Sequence, residues 1–121
     1  MSRKNNLKQF RNIVNGDMSQ ASITSAVTDI QFLDNIGIQL DFSGSPVGTF
    51  DVQISLNYSI DNLSNTVISS GTWVTIASGS TSGGSPIFFD LNQLSAPFIR
   101  VVYTKTSGTG TLNSIISAKM L

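Results

Sequence analysis

Apolar and polar residues alternate with a period of two along most of this chain, and that alternation predicts strands. It is clearest in Ile36–Ser43, where Ile36, Ile38, Leu40 and Phe42 alternate with Gly37, Gln39, Asp41 and Ser43. Thr49–Leu56 repeats it, with Phe50, Val52, Ile54 and Leu56 set against Asp51, Gln53 and Ser55. Gly44-Ser45-Pro46 and Gly48 separate the two runs, which together read as a hairpin with one wet face. The end of the chain reads as a longer hairpin, Phe98–Lys105 and Leu112–Lys119, joined by Thr106-Ser-Gly-Thr-Gly-Thr111. Ile99, Val101 and Tyr103 share one face of its first strand and Phe98, Arg100, Val102 and Thr104 the other, so both faces carry apolar bulk. In its second strand Leu112, Ile116 and Ala118 share a face.

Shorter runs fill the space between. Ala21–Ser25, Val27–Leu33, Thr72–Ala77 and Ile87–Leu91 are expected strands, with Asp34-Asn35 as a turn and Asn92–Pro97 as a bridge to the terminal hairpin. Asn57–Ser70 is polar and irregular and reads as a long loop at one end of the domain, and the Gly/Ser stretch Ser78–Ser85 as a flexible surface loop. Seven to eight short strands without a long helix predict an all-β antiparallel sandwich over residues 18–121. Residues 1–17 differ in character. Leu7, Phe10, Ile13 and Val14 are spaced three and four apart, so a short amphipathic helix ending at Asn15-Gly16 is one expectation. Whether the segment is a frayed tail or an arm that docks on a neighbouring subunit, pattern alone leaves open.

Composition narrows the chemistry. Only 12% of the residues are charged, the formal net charge is zero, and four of the seven basic residues, Arg3, Lys4, Lys8 and Arg11, lie in the first seventeen. No basic run interleaved with aromatics marks a nucleic-acid groove, and no apolar run approaches a membrane span, so neither is an expected partner. The N-terminus is basic but leads into no apolar signal-peptide core, which suits synthesis in a cytoplasm. Without Cys there is no disulfide framework. His and Glu are also absent, which removes the Ser-His-Asp triad, histidine metal sites and a Glu acid or base. Seven aspartates remain, mostly at turns and strand edges, where Asp is ordinary; a glycosidase pair is not expected, and the protein is read as a non-enzyme without cofactor or metal. Asn57, Asp61, Asn62 and Asn65 offer oxygen ligands for Ca²⁺ but match no EF-hand spacing. The one tryptophan, Trp73, is expected in the core; the competing reading is a sugar-stacking platform with Tyr58 or Tyr103. Arg100, between apolar neighbours, calls for a partner such as Asp90 or Asp51.

Gly48-Thr-Phe-Asp-Val-Gln-Ile-Ser55, Gly71-Thr-Trp-Val-Thr-Ile76, Phe98-Ile-Arg-Val-Val-Tyr-Thr104 and Ser107-Gly-Thr-Gly-Thr-Leu112 follow one another in an order that resembles small virion proteins of tailed bacteriophages with a discoidin-like jelly roll. The resemblance spans roughly residues 17–121; the absence of disulfides and the polar Asn57–Ser70 stretch depart from the discoidin pattern, so no discoidin ligand site is carried over. It implies a virion structural protein, foremost a head decoration or cement protein bound to the major capsid protein. Arg3, Lys4, Leu7, Lys8, Phe10, Arg11, Ile13 and Val14 would then form the attaching arm. A carbohydrate-binding module of a tail or fibre, using Trp73 and Tyr58, is the alternative, and a tail or neck adaptor a third. With so few charges to oppose contact between copies, a homo-oligomer is expected, a trimer as first guess.

Overall fold

The period-two runs fold into eleven strands in a computed structural model that describes residues 7–31, 33–91 and 94–120. They are β1 (Leu7–Asp17), β2 (Ser22–Thr24), β3 (Thr28–Asp29), β4 (Leu33–Phe42), β5 (Val47–Ser55), β6 (Ser59–Asp61), β7 (Thr66–Ser69), β8 (Val74–Ser80), β9 (Ile87–Leu91), β10 (Phe98–Ser107) and β11 (Thr111–Met120). One sheet has the order β1-β11-β4-β9 and the other β2-β10-β5-β8, with β3 continuing the β2 edge of β10. Every pairing is antiparallel. The two four-membered orders, with the chain crossing between them at every step except β5 to β8, are those of an eight-stranded jelly roll. The expected antiparallel sandwich is therefore the fold observed.

Neither predicted hairpin forms. β4 and β5 lie in opposite sheets, as do β10 and β11. Ile36, Ile38 and Leu40 face Phe50, Val52, Ile99, Val101 and Tyr103 across the core, with Leu112, Ile116 and Ala118 completing it. Alternation shows which face of a strand is buried but not whether the next strand lies beside it or across from it, since both arrangements bury the same side chains. The crossing loops decide it. Ser43 N–H donates to the Thr111 carbonyl and Ser45 N–H to the Thr109 carbonyl, each at 3.0 Å, so the two crossings stack backbone on backbone. Gly108, at φ 80°, and Gly110 make this possible, because a Cβ there would collide with the carbonyls of Ser45 and Ser43.

The N-terminal segment is also reassigned. Leu7–Asp17 is a strand, not a helix, and pairs with β11 from Leu7↔Lys119 to Asp17↔Thr111. Its ladder shifts register between Arg11 and Ile13 and again between Ile13 and Gly16. Each bulge adds a residue, so apolar positions three apart reach one face; that spacing imitates a helix. A boundary at residue 17 therefore does not separate an arm from a domain over residues 7–17. Leu33–Phe42 runs straight through the expected Asp34-Asn35 turn, with Asn35 at φ 49° within the strand. Of the expected strand Val27–Leu33 only Thr28–Asp29 is β3, Leu33 opening β4 instead. Between β2 and β3, Ser25 keeps the edge attached: its N–H donates to the Val101 carbonyl (2.8 Å) and its Oγ accepts from Val101 N–H (2.9 Å).

Candidate interaction surface

The outer wall of the five-stranded sheet is built by the face of β10 that alternates with its core face. Arg100 stands opposite Gln53 of β5, and Gln53 opposite Thr75 of β8. The Arg100 Nε donates to Gln53 Oε1 at 2.8 Å, and Gln53 Nε2 donates onward to Thr75 Oγ1 at 3.2 Å. No aspartate serves Arg100. Its guanidinium instead lies over the Trp73 ring, 4.3 Å from the centroid, so the cation is met by a π face and an amide oxygen. Burial draws its pKa below the ordinary value, though an arginine remains charged.

Trp73 is not in the core. It is half-buried on the outer wall, its Nε1 donating to the Ser70 carbonyl at 2.9 Å. Tyr58 lies beside it with ring centroids 5.8 Å apart, and meets Phe98 edge-on at 4.9 Å. Of the two tyrosines weighed as platform partners, Tyr58 is thus with Trp73, while Tyr103 is fully buried against Phe50. The platform has one ring face already covered by Arg100.

This stack stands at the foot of a projection that sequence did not reveal. Asn57–Ser70 is not irregular: β6 and β7 pair as a two-stranded hairpin outside both main sheets. Its base is tied by Ser55 and Asn57. Ser55 Oγ accepts from the N–H of Tyr58 (3.1 Å), and Asn57 Oδ1 accepts from the N–H of Thr72 (2.6 Å). At the tip Asp61 accepts from Leu63 N–H (3.0 Å); that bond and Ser64 hold its carboxyl below the usual range. The oxygens weighed as Ca²⁺ ligands are thus engaged locally at Asn57 and Asp61. Among the described residues no group of three or more His, Cys, Asp or Glu side chains is placed to hold a metal.

Nine large apolar side chains are exposed among the described residues, and six of them fall between Leu56 and Ile76. Leu63, at the hairpin tip, is 99% exposed, with Val67 and Ile68 on the adjoining strand. Leu56 and Val74 line a cleft of about 370 Å³ with Ile54, Asn57 and Thr72. The Gly/Ser stretch beyond is not loop throughout: β8 runs to Ser80, and a 3-10 turn, Thr81–Gly83, follows, where the Thr81 hydroxyl accepts from Gly48 N–H at 3.2 Å. A larger depression, about 590 Å³, lies at Ile30, Gln31, Leu33, Asp34 and Leu94–Pro97, with Asp34 the one titratable side chain among the described residues that line it.

The eight expected arm residues are dispersed. Phe10 packs on the core and Ile13 is buried within it, whereas Arg11 and Val14 are exposed. Leu7 and Lys8 belong to β1, but their side chains, like all of Arg3 and Lys4, lie outside the described residues.

No protein-family model matches the chain, and no curated protein sequence does. Its fold is that of a solved viral chain. The structure of infectious bursal disease virus, Gx strain, matches at a TM-score of 0.52 and 14% identity over 94% of this chain and 32% of that one. The chain thus spans about a third of that protein's length, and the likeness shows a shared jelly-roll architecture. The SPBc2 prophage-derived protein YomS matches at a TM-score of 0.46 and 8% identity, over 92% of each chain. Among the described residues, no helix is long and apolar enough to cross a membrane.

Proposed function

We propose that this protein is a non-enzymatic structural component of a virus particle, and within that class a decoration or cement protein bound to the major capsid protein of a tailed-phage head. The observation that carries the reading is the apolar surface of Leu56–Ile76, projected by a hairpin from a jelly-roll body. Exposed apolar groups gathered in one region mark a surface that another protein covers. Jelly rolls serve both capsid and lectin domains, so the fold supports the class while the surface argues for the role. The aspartates agree with a role outside catalysis: Asp17 bonds Ser19, Asp29 bonds Gln31, Asp51 bonds Ser78 and Asp61 bonds Leu63. In this reading the protein is made in the host cytoplasm, resides in the virion and contacts capsid protein through the β6–β7 side, with Arg11 and Val14 of β1 as a second patch.

A sugar-binding module of a tail or fibre is the second reading, favoured by the side-by-side placement of Trp73 and Tyr58 on the outer wall. Quantitative mass spectrometry of purified particles separates them. A cement protein is present in many symmetric copies over the shell, and a fibre module in few, at the tail; a low count with glycan binding abolished by Trp73→Ala would replace the first reading by the second.

A further inference from the structure

Asn15 is the only asparagine in this chain that glycine follows. That order matters chemically, because a backbone nitrogen can attack the side-chain amide carbon of the residue before it, and glycine, without a Cβ, hinders the approach least. The pair sits where the β1–β11 ladder is irregular. Between Ile13↔Ser114 and Gly16↔Leu112, β1 places two residues, Val14 and Asn15, against the single Asn113. Both are exposed, and the Asn15 N–H donates to Asn113 Oδ1 at 2.9 Å. Asn15 has φ 51°, in the left-handed region that asparagine tolerates better than most residues with a side chain. There ψ is about +47°, which turns the Gly16 nitrogen away from the Asn15 side chain. Gly16 itself is closely packed: a Cβ on it would stand 2.9 Å from Ile13 Cγ2 and 3.1 Å from Ile23 Cδ1. The two reacting groups are therefore adjacent in sequence but held apart by the fold.

We propose that Asn15-Gly16 is a site of spontaneous covalent modification, and that the β1–β11 ladder times the reaction by keeping the two residues apart until this part of β1 opens. On opening, Asn15 rotates about its Cα–C bond. The Gly16 nitrogen gives its proton to solvent and bonds to Asn15 Cγ, while the bond from Cγ to the side-chain nitrogen breaks and that nitrogen takes up a proton and leaves as ammonia. Water then opens the resulting succinimide at one of its two carbonyls, to aspartate or to isoaspartate. The net change is one water in and one ammonia out. Isoaspartate carries the main chain through Cβ and Cγ, one carbon longer than before. Leu7–Ile13 and Gly16–Asp17 flank that insertion, so the two halves of the ladder no longer both fit their partners on β11. Local opening is easiest where backbone pairing is sparse. β1 is such a place, an edge strand among the described residues with two register shifts in its one ladder. This inference rests on the ladder and not on the virion reading, so its failure would leave that reading standing.

The test is peptide mapping by mass spectrometry of the full chain stored in mildly alkaline buffer, folded and in denaturant, for wild type and Ile13→Ala. In denaturant Asn15 is expected to convert faster than every other asparagine, and in the folded chain at least tenfold more slowly than there. Ile13→Ala, which removes the buried side chain packed on Gly16, is expected to raise the folded rate at least threefold and to leave the denatured rate within twofold. Hydrogen exchange of the converted protein should find the Leu7–Ile13 amides less protected than before conversion. Equal rates in the folded and denatured chains, a folded chain that never converts, another asparagine that leads in denaturant, a folded rate indifferent to Ile13→Ala, or unchanged protection after conversion would each overturn the proposal. Should Ile13→Ala fail to fold, wild type in guanidinium chloride below its unfolding transition decides instead: the rate should climb with denaturant, and a flat rate would overturn the proposal.

Discussion

Tyr103 is fully buried at the centre of the core, its ring 5.0 Å from that of Phe50, yet its hydroxyl has no hydrogen-bond partner. Tyr103→Phe removes that oxygen and keeps the ring. An unpaired buried hydroxyl costs about 1–3 kcal/mol of desolvation, and no bond is lost in exchange, so the variant should gain about 1 kcal/mol. For a domain of this length that is a rise in Tm of about 3–6 °C. A second signature lies in pH. Burial pushes the Tyr103 phenol above its ordinary value of 10.0, so the unfolded chain gives up this proton first. Its contribution to stability is whole below about pH 10 and is lost as pH rises through the folded value, so wild type should fall away in alkali more steeply than Tyr103→Phe. Tyr58, shared by both proteins, cancels in the comparison. Chemical denaturation from pH 7 to pH 11 measures both effects. A variant less stable than wild type by 1 kcal/mol at pH 7, or one with the same alkaline slope, would show that the hydroxyl is satisfied and refute the reasoning.

Other substitutions probe the remaining layers. Ile99→Ala should cost about 2–5 kcal/mol through lost burial and a cavity, and Trp73→Ala, half-buried, about 1–2 kcal/mol; thermal melts that rank them the other way would return Trp73 to the core. A double-mutant cycle of Trp73→Ala with Arg100→Ala should give a coupling of about 0.5–2 kcal/mol for the cation on the ring, and additivity would deny the contact. Gly108→Ala forces a Cβ against the Ser45 carbonyl at a positive φ and should lower Tm, whereas alanine at Gly83, which has open space around it, should be near neutral. Removing residues 1–17 takes away β1 with Ile13, so circular dichroism should show an unfolded or aggregating chain rather than a folded domain that has merely lost its attachment.

What sequence made legible was the inward face of nearly every long strand. Ile36, Ile38, Leu40, Phe50, Val52, Ile99, Val101, Leu112 and Ile116 are buried as alternation requires, because burial is a property each strand carries locally. Which strand neighbours which is not local. It depends on whether the loops at Gly44 and Gly108 double back within a sheet or cross between sheets, and glycine permits both. β1 misled for a related reason, its bulges converting a period of two into a spacing of three. The surface was least legible. Asn57–Ser70 has too few alternating positions to betray a hairpin, and the stacking of Trp73, Arg100 and Tyr58 joins residues from three distant parts of the chain. One signal was available: exposed-looking Leu63, Val67 and Ile68 in a polar stretch are costly without a use.

The pairing of β1 with β11 has a consequence in time. Leu7 reaches its ladder partner only when Lys119 has been made, so β1 must wait for β11, with β4 held open on the other side of the same gap. Until then two apolar strand faces and their unpaired backbones are exposed to any neighbouring chain, which is the situation that slows folding and invites misassembly. Once β11 enters, it is bonded on both edges, and the two ends of the chain hold each other in place. Release of β11 then requires both of its ladders, with β1 and with β4, to part. A protein wired in this way is expected to mature slowly, because its first and last ladders can close only together.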